Sequence, residues 1–245
     1  MRAVLSLALF ASAAFAAAQV SYQPVSTSGS IHTRIEGISI PSIPNAPFTA
    51  KVQVTWERPL VGGGSVSRKY YTSVARDAEG RVRRESRDFI PSSSSANPPL
   101  RSFSIYDPVA STRTTCTIAT MSCMVADLRT PLPPPAGPAI VHRKGPAPES
   151  LGQQTMSDLP VTGTRVTTNS TVGSGGNNRI LISHKEEWYS PDLQMDLSVV
   201  RNDPQLGQID MTVTDLVRGT PDPSCFTVPP GFAVVDTRAG QTVLQ

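Results

Sequence analysis

Apolar and polar residues alternate most regularly where Leu193, Met195, Leu197 and Val199 are separated by Gln194, Asp196 and Ser198. A period of two places the four apolar side chains on one face of a β-strand. Ile209, Met211 and Val213 repeat the pattern after an Asp203-Pro204 turn. Upstream, the run from Phe48 to Glu57 puts Val52, Val54 and Trp56 on one face, with Lys51, Gln53 and Thr55 on the other. After Gly62-Gly63-Gly64-Ser65, the run from Val66 to Arg76 returns with Tyr70, Thr72 and Val74 on one face. Asp77-Ala78-Glu79-Gly80 reads as a β-turn leading into a strand from Arg81 to Ile90, with Gly where positive φ is needed. Strands joined by turns this short are antiparallel. A short strand from Ser102 to Tyr106, a hairpin from Arg113 to Ala126 around Ala119-Thr120, and a strand from Leu159 to Thr168 continue the series. Helical periodicity is scarce, and Glu149 to Met156 reads as a short helix or a turn.

Two stretches break this pattern. In the first, Arg2 precedes an apolar run from Val4 to Phe15, interrupted by Ser6 and Ser12, and Ala16-Ala17-Ala18 precede Gln19. Residues 1–18 therefore read as a secretory signal peptide cleaved near Ala18, because the apolar run is too short to span a bilayer and small residues follow it. No Cys follows that site, which disfavours a lipid anchor, and no later stretch approaches the ~20 apolar residues of a transmembrane helix. A periplasmic or extracellular protein with no transmembrane segment after cleavage is expected. In the second, Thr130-Pro-Leu-Pro-Pro-Pro-Ala-Gly-Pro138 and Gly145-Pro-Ala-Pro148 favour extended polyproline conformation. The expected organisation is residues 1–18 as signal peptide, 19–47 as an irregular Pro/Ser-rich lead-in, and 48–245 as one antiparallel β domain with a Pro-rich insertion at 130–148. Ile31, Ile38, Ile40 and Ile43 of the lead-in are candidate pocket or sheet contacts.

Composition narrows the architecture. All 23 Pro follow residue 18, roughly 10% of that part and about twice the usual share. A chain this polar and Pro-rich suits a single-layer sheet or open barrel with long loops better than a thick α/β core. The net charge of +3 is too small to argue for a nucleic-acid partner. Arg81, Arg83, Arg84 and Arg87 form a basic run, but Glu85 and Asp88 interrupt it. It reads as a solvated strand face with cross-strand ion pairs.

Chemistry-bearing residues are sparse. Cys116 and Cys123 suit the two arms of a hairpin, either as a disulfide or as two buried free thiols, according to the cross-strand geometry. Cys225 is then unpaired and packs beside Phe226. His184 and Glu186 supply only two ligands and leave a metal sphere incomplete. Glu186 and Glu187 point to opposite faces of a strand and cannot work as a paired acid and base. No Gly-x-Ser-x-Gly elbow, His-Glu-x-x-His motif or Walker loop is present. The sequence thus nominates no catalytic residue, no metal and no cofactor. The aromatic residues allow two arrangements. On the inner face of a concave sheet they line an apolar groove for a lipid or peptide; under a covering helix or loop they fill a core. For the groove, the candidate ligand-binding residues are Trp56, Tyr70, Trp188, Leu193, Met195, Leu197 and Phe226.

Several segments carry a resemblance. They are Arg76-Asp-Ala-Glu-Gly-Arg81, Ile105-Tyr-Asp-Pro108, Gly163-Thr-Arg-Val-Thr-Thr168, Glu187-Trp-Tyr-Ser-Pro-Asp-Leu193 and Phe226-Thr-Val-Pro-Pro-Gly-Phe232. With these the chain resembles a group of secreted, uncharacterised bacterial envelope proteins of acidobacterial type. That group is in turn similar to the LolA/LolB-like lipoprotein-sorting carriers. The resemblance implies a strongly curved antiparallel sheet, an incomplete β-barrel, and a non-catalytic protein that binds a lipid or a lipoprotein acyl chain on its concave face. The alternative is a protein-interaction or envelope-sensing module that recruits an envelope protein partner through sheet edges or the Pro-rich segment.

Overall fold

The computed structural model describes residues 38–128, 146–174 and 176–238, all within the compact unit Glu36–Gln245. The expected signal peptide and most of the Pro-rich segment therefore lie outside the described residues. Among those described there are thirteen strands and one short 3-10 turn at Pro223–Phe226, with no α-helix. The strands are β1 Phe48–Pro59, β2 Ser65–Arg76, β3 Val82–Arg87, β4 Ile90–Pro91, β5 Leu100–Asp107, β6 Thr112–Thr117, β7 Ser122–Asp127, β8 Glu149–Met156, β9 Leu159–Ser170, β10 Leu181–Ser190, β11 Met195–Asp203, β12 Gly207–Arg218 and β13 Ala233–Asp236.

All thirteen belong to one open sheet in the order β13-β7-β6-β5-β3-β2-β1-β12-β11-β10-β9-β8, with β4 beside β2. Two meanders, β1 to β7 and β8 to β12, are fused where β1 pairs antiparallel with β12. The sheet is mainly but not wholly antiparallel. Strand β13 runs parallel to β7, with Val234 opposite Cys123, because the chain leaves β12 near the middle of the sheet and crosses to the far edge. Glu149–Met156 is edge strand β8 rather than a helix or turn, paired through Gln154 to Val161 and through Met156 to Leu159 of β9.

Cross-strand register separates two cores on opposite faces. On the first face, Val52 lies opposite Thr72 and Val54 opposite Tyr70. Met211 pairs with both Val54 and Val199, so this face continues into β11 at Val199. Tyr70 meets Phe89 edge-on, with ring centroids 4.6 Å apart. The second core gathers Ala75, Phe103, Ile105, Cys116, Cys123 and Phe226, with Ile118, Cys225, Val228, Phe232 and Val234 packed around it. Ala75 follows Val74 in β2, so this cluster lies on the other side of the sheet.

Arg76 ends β2 on the first face and is fully buried. Its Nε donates to the Ala46 carbonyl at 2.9 Å, Nη1 to Pro41 at 3.0 Å and Nη2 to Leu193 at 2.9 Å. The guanidinium lies over the Phe48 ring, 4.9 Å from its centroid. Burial pushes its pKa down to about 10, which leaves it charged at neutral pH, and the three carbonyl dipoles favour that charge. The adjoining turn is built on Asp77, whose Oδ1 accepts the backbone N–H groups of Glu79 and Arg81 and whose Oδ2 accepts Arg81 Nε at 2.6 Å. Gly80 in this turn has φ +84, and a Cβ there would stand 2.9 Å from the backbone of Ile43. Ser42 Oγ also donates to the Gly80 carbonyl. The part of the lead-in from Ile38 to Pro47 is thus irregular but packed: Ile38 is buried, and the Pro41 and Ala46 carbonyls are bound by Arg76.

Candidate functional site

Residues 219–232, between β12 and β13, form a strap across the second face. Phe226 anchors it in the second core. The Cys225 carbonyl accepts Arg83 Nη1 at 3.2 Å, and the Phe232 ring meets Phe103 edge-on at 5.9 Å. The 3-10 turn within the strap is capped by Asp222, whose Oδ1 accepts the Ser224 N–H at 2.8 Å; this hydrogen bond lowers the Asp222 pKa.

Between strap and sheet lies a cleft of about 730 Å³. Its floor is formed by β1, β2 and β3, including Lys51, Ser73, Ala75 and Arg83, and its roof by strap residues from Ser224 to Pro230. Lys51 and Asp215 form an exposed ion pair at 2.9 Å. The hydrogen bond that Lys51 donates to Asp215, followed by the charge of Asp215, raises the Lys51 pKa, so the ammonium is charged at neutral pH. Glu85, also lining the cleft, accepts two hydrogen bonds from Arg87, at 3.0 and 2.8 Å, and stands 3.9 Å from Arg83. Arg83 is stacked 4.1 Å from the Phe103 centroid and Arg87 5.0 Å from that of Tyr71. Arg81, Arg83 and Arg87 of the basic run are paired. The exposed pair of Asp88 with Arg101 of β5 is of the expected cross-strand kind, whereas Arg83, Glu85 and Arg87 pair along β3 and are largely covered by the strap and by aromatic rings.

The seven residues nominated as ligand contacts do not converge. Trp56 and Tyr70 lie on the first face with Val54 by alternation and pairing, and Trp56 Nε1 donates to the Leu206 carbonyl at 2.8 Å. Leu193, Met195 and Leu197 are packed to between 1 and 2% exposure. Phe226 is in the opposite core. Trp188 lies opposite Ser198 of β11 and Gly163 of β9, at an irregularity where the register skips Leu197 of β11. Arg83, Glu85, Lys51, Ser224 and Thr227, which do line a cleft, carry no sequence signal of a shared site. Only the topology of the strap brings them together.

Trp188 lies over Gly163, where an added Cβ would stand 2.6 Å from the indole ring. Gly163→Ala is expected to displace that ring and lower stability by roughly 1–2 kcal/mol through overpacking, with a matching change in tryptophan fluorescence. An unshifted emission spectrum and an unchanged denaturation midpoint would contradict this packing.

The polar residues of β9 and β10 are engaged with one another. Arg165 Nη2 and Nε bind Glu186 Oε1 at 2.8 and 2.9 Å, and that hydrogen bond raises the Arg165 pKa. His184 Nδ1 is 3.0 Å from Thr167 Oγ1. Glu186 faces Arg165 and Val200, whereas Glu187 faces Val199 on the other side and pairs with Lys185. Among the described residues no group of three or more His, Cys, Asp or Glu side chains is placed to hold a metal ion. Cys116 and Cys123 are directly opposite on β6 and β7 and are joined by a disulfide. Cys225 is a free thiol beside Phe226.

No protein-family model and no curated protein matches the chain. Among solved structures it is similar to a chain of the Pseudomonas aeruginosa MucA/MucB complex, at 12% identity and TM-score 0.41, covering 78% of this chain and 58% of that one. It therefore spans little more than half of that chain's length. LprF from Mycobacterium bovis matches at 14% identity and TM-score 0.31, over 76% of this chain and 90% of LprF. A LolA superfamily protein from Nitrosomonas europaea matches at 10% identity and TM-score 0.31, over 76% and 91%. All three scores fall below 0.5, and the functional reading rests on this chain's own geometry.

Proposed function

We propose that this is a non-catalytic extracytoplasmic protein that holds an amphiphilic ligand, a lipid or a lipoprotein acyl chain, in the cleft beneath the 219–232 strap. The cleft volume of about 730 Å³ carries this reading, being within the ~300–1,000 Å³ of small-ligand sites. Ala75, Cys225, Pro229 and Pro230 offer apolar contact, and the exposed Lys51–Asp215 pair stands where a polar head would meet water. The buried stripe at Leu193, Met195 and Leu197 is less accessible, since a ligand reaching it must displace packed side chains. The disulfide supports the compartment, because such bonds persist chiefly in oxidising surroundings.

Displacement of a fluorescent fatty acid tests the reading. Saturable micromolar binding is expected, weakened roughly tenfold or more, about 1.4 kcal/mol, in Ser73→Trp, whose side chain fills the cleft floor. Binding that is absent, or that survives Ser73→Trp unchanged in a folded variant, rules the cleft out.

A further inference from the structure

One end of the sheet has a composition that the cleft does not use. Glu57 pairs with Gln208, Asp203 with Gly207, His184 with Asn202 and Leu181 with Ser170. The β1–β2 turn at 60–64, the β11–β12 turn at 204–206 and the β9–β10 loop at 171–180 therefore project from the same end. Among the described residues, five of the ten exposed large hydrophobic ones are here: Leu60, Val61, Val172, Ile180 and Ile182. Val61 is fully exposed, and the three glycines after it have nothing within 4 Å of an added Cβ. The aliphatic side chains of both hairpins are thus at least about half exposed.

Cations outnumber carboxylates around these tips, four against Glu57 and Asp203. Arg58, Arg68, Lys69 and Arg179 flank them, and none makes an ion pair among the described residues, where cations elsewhere are commonly paired. The carboxylates at this end are engaged. Glu57 Oε1 accepts the Ser65 hydroxyl at 2.8 Å. Asp203 Oδ1 accepts the Gln205 and Leu206 N–H groups, and Oδ2 accepts Ser183 Oγ at 3.1 Å. Arg58 and Arg68 lie on one face, since Arg68 pairs with Trp56 of β1 and Arg58 is two residues beyond it.

Aliphatic tips ringed by unpaired cations match the layered chemistry of an anionic bilayer, with acyl carbons inside and phosphates outside. From this juxtaposition we infer that the β1–β2 and β9–β10 hairpin tips form a docking surface for an anionic lipid membrane. Leu60, Val61 and Ile180 enter the acyl boundary, while Arg58, Arg68 and Arg179 meet headgroup phosphates. A second copy of this chain fits less well, because two such ends would oppose like charges. The docking surface is separate from the cleft, which lies toward the opposite end of β1 around Thr49 and Lys51.

Co-sedimentation of the purified chain with vesicles tests the inference, using equal parts phosphatidylcholine and phosphatidylglycerol against phosphatidylcholine alone. The parent chain is expected to favour the anionic vesicles, with the preference declining as salt screens it. Arg58→Gln with Arg68→Gln should weaken anionic binding roughly twenty-five-fold, at about fivefold per cation, and leave the residual binding to neutral vesicles unchanged. Val61→Ser with Ile180→Ser should weaken binding to both vesicle types. All four positions are at the surface, and an unchanged denaturation midpoint identifies variants that fold. Folded variants that bind as the parent does overturn the inference. So does self-association that the serine variant abolishes in the absence of vesicle binding. Ser73→Trp should leave vesicle binding intact, which separates this surface from failure of the cleft reading.

Discussion

Arg76→Ala should lower stability by about 3–5 kcal/mol, the largest effect expected of any single substitution here. The side chain is fully buried, and its removal leaves the Pro41, Ala46 and Leu193 carbonyls without the donors that now satisfy them. A buried polar group that loses its partner costs about 1–3 kcal/mol, and partial hydration of the new cavity keeps the sum below three full penalties. Arg76→Lys should recover only part of the loss, since one ammonium does not reproduce the planar fork that reaches three acceptors in different segments. The measurement is the midpoint of urea unfolding at unchanged slope. Native-state hydrogen exchange gives a second readout: residues 41–46 should lose protection before the β1–β12 ladder does, because Arg76 holds them to the sheet. An Arg76→Ala midpoint within about 1 kcal/mol of the parent would show that the carbonyls find other partners.

The same residue marks where the sequence stops being informative. Strands with one buried and one solvated face were legible because their alternation records burial directly, as with Val52 and Val54 against Lys51 and Gln53 in β1. Arg76 continues the alternation of Tyr70, Thr72 and Val74, and it is buried with them, but a guanidinium at that position gives no sign that three carbonyls surround it. Strand β8 was missed for the opposite reason. Apart from Leu151 and Met156 its residues are exposed, as at a sheet edge, so neither face imposes a period. The cleft was not legible at all. It depends on where a strap without periodicity crosses the sheet, and that is set by the parallel pairing of β13 with β7, a contact made more than a hundred residues along the chain.

Replacing both Cys116 and Cys123 by Ser should cost about 2–3 kcal/mol, or roughly 5–10 °C in Tm for a protein of this size. The bonded residues are only 7 apart in sequence, so the constraint on the unfolded chain is that of a short loop. The position adds a further effect. Both residues are buried in the second core, Cys116 lies opposite Phe103, and Cys123 lies opposite Val234 of β13. Loosening this hairpin therefore loosens the strand that fixes the far end of the strap, and fatty-acid affinity should fall along with Tm. Arg76→Ala acts from the other face and should reduce Tm with less effect on ligand affinity, which distinguishes damage to the strap from a general loss of stability. Thermal unfolding of the parent chain with and without reductant provides the control: reductant should lower Tm by about the same amount as the double substitution and have no effect on the double variant. Equal stability of the oxidised and reduced parent would mean that the β6–β7 hairpin is held by its ladder and by Phe103 and Phe232 alone.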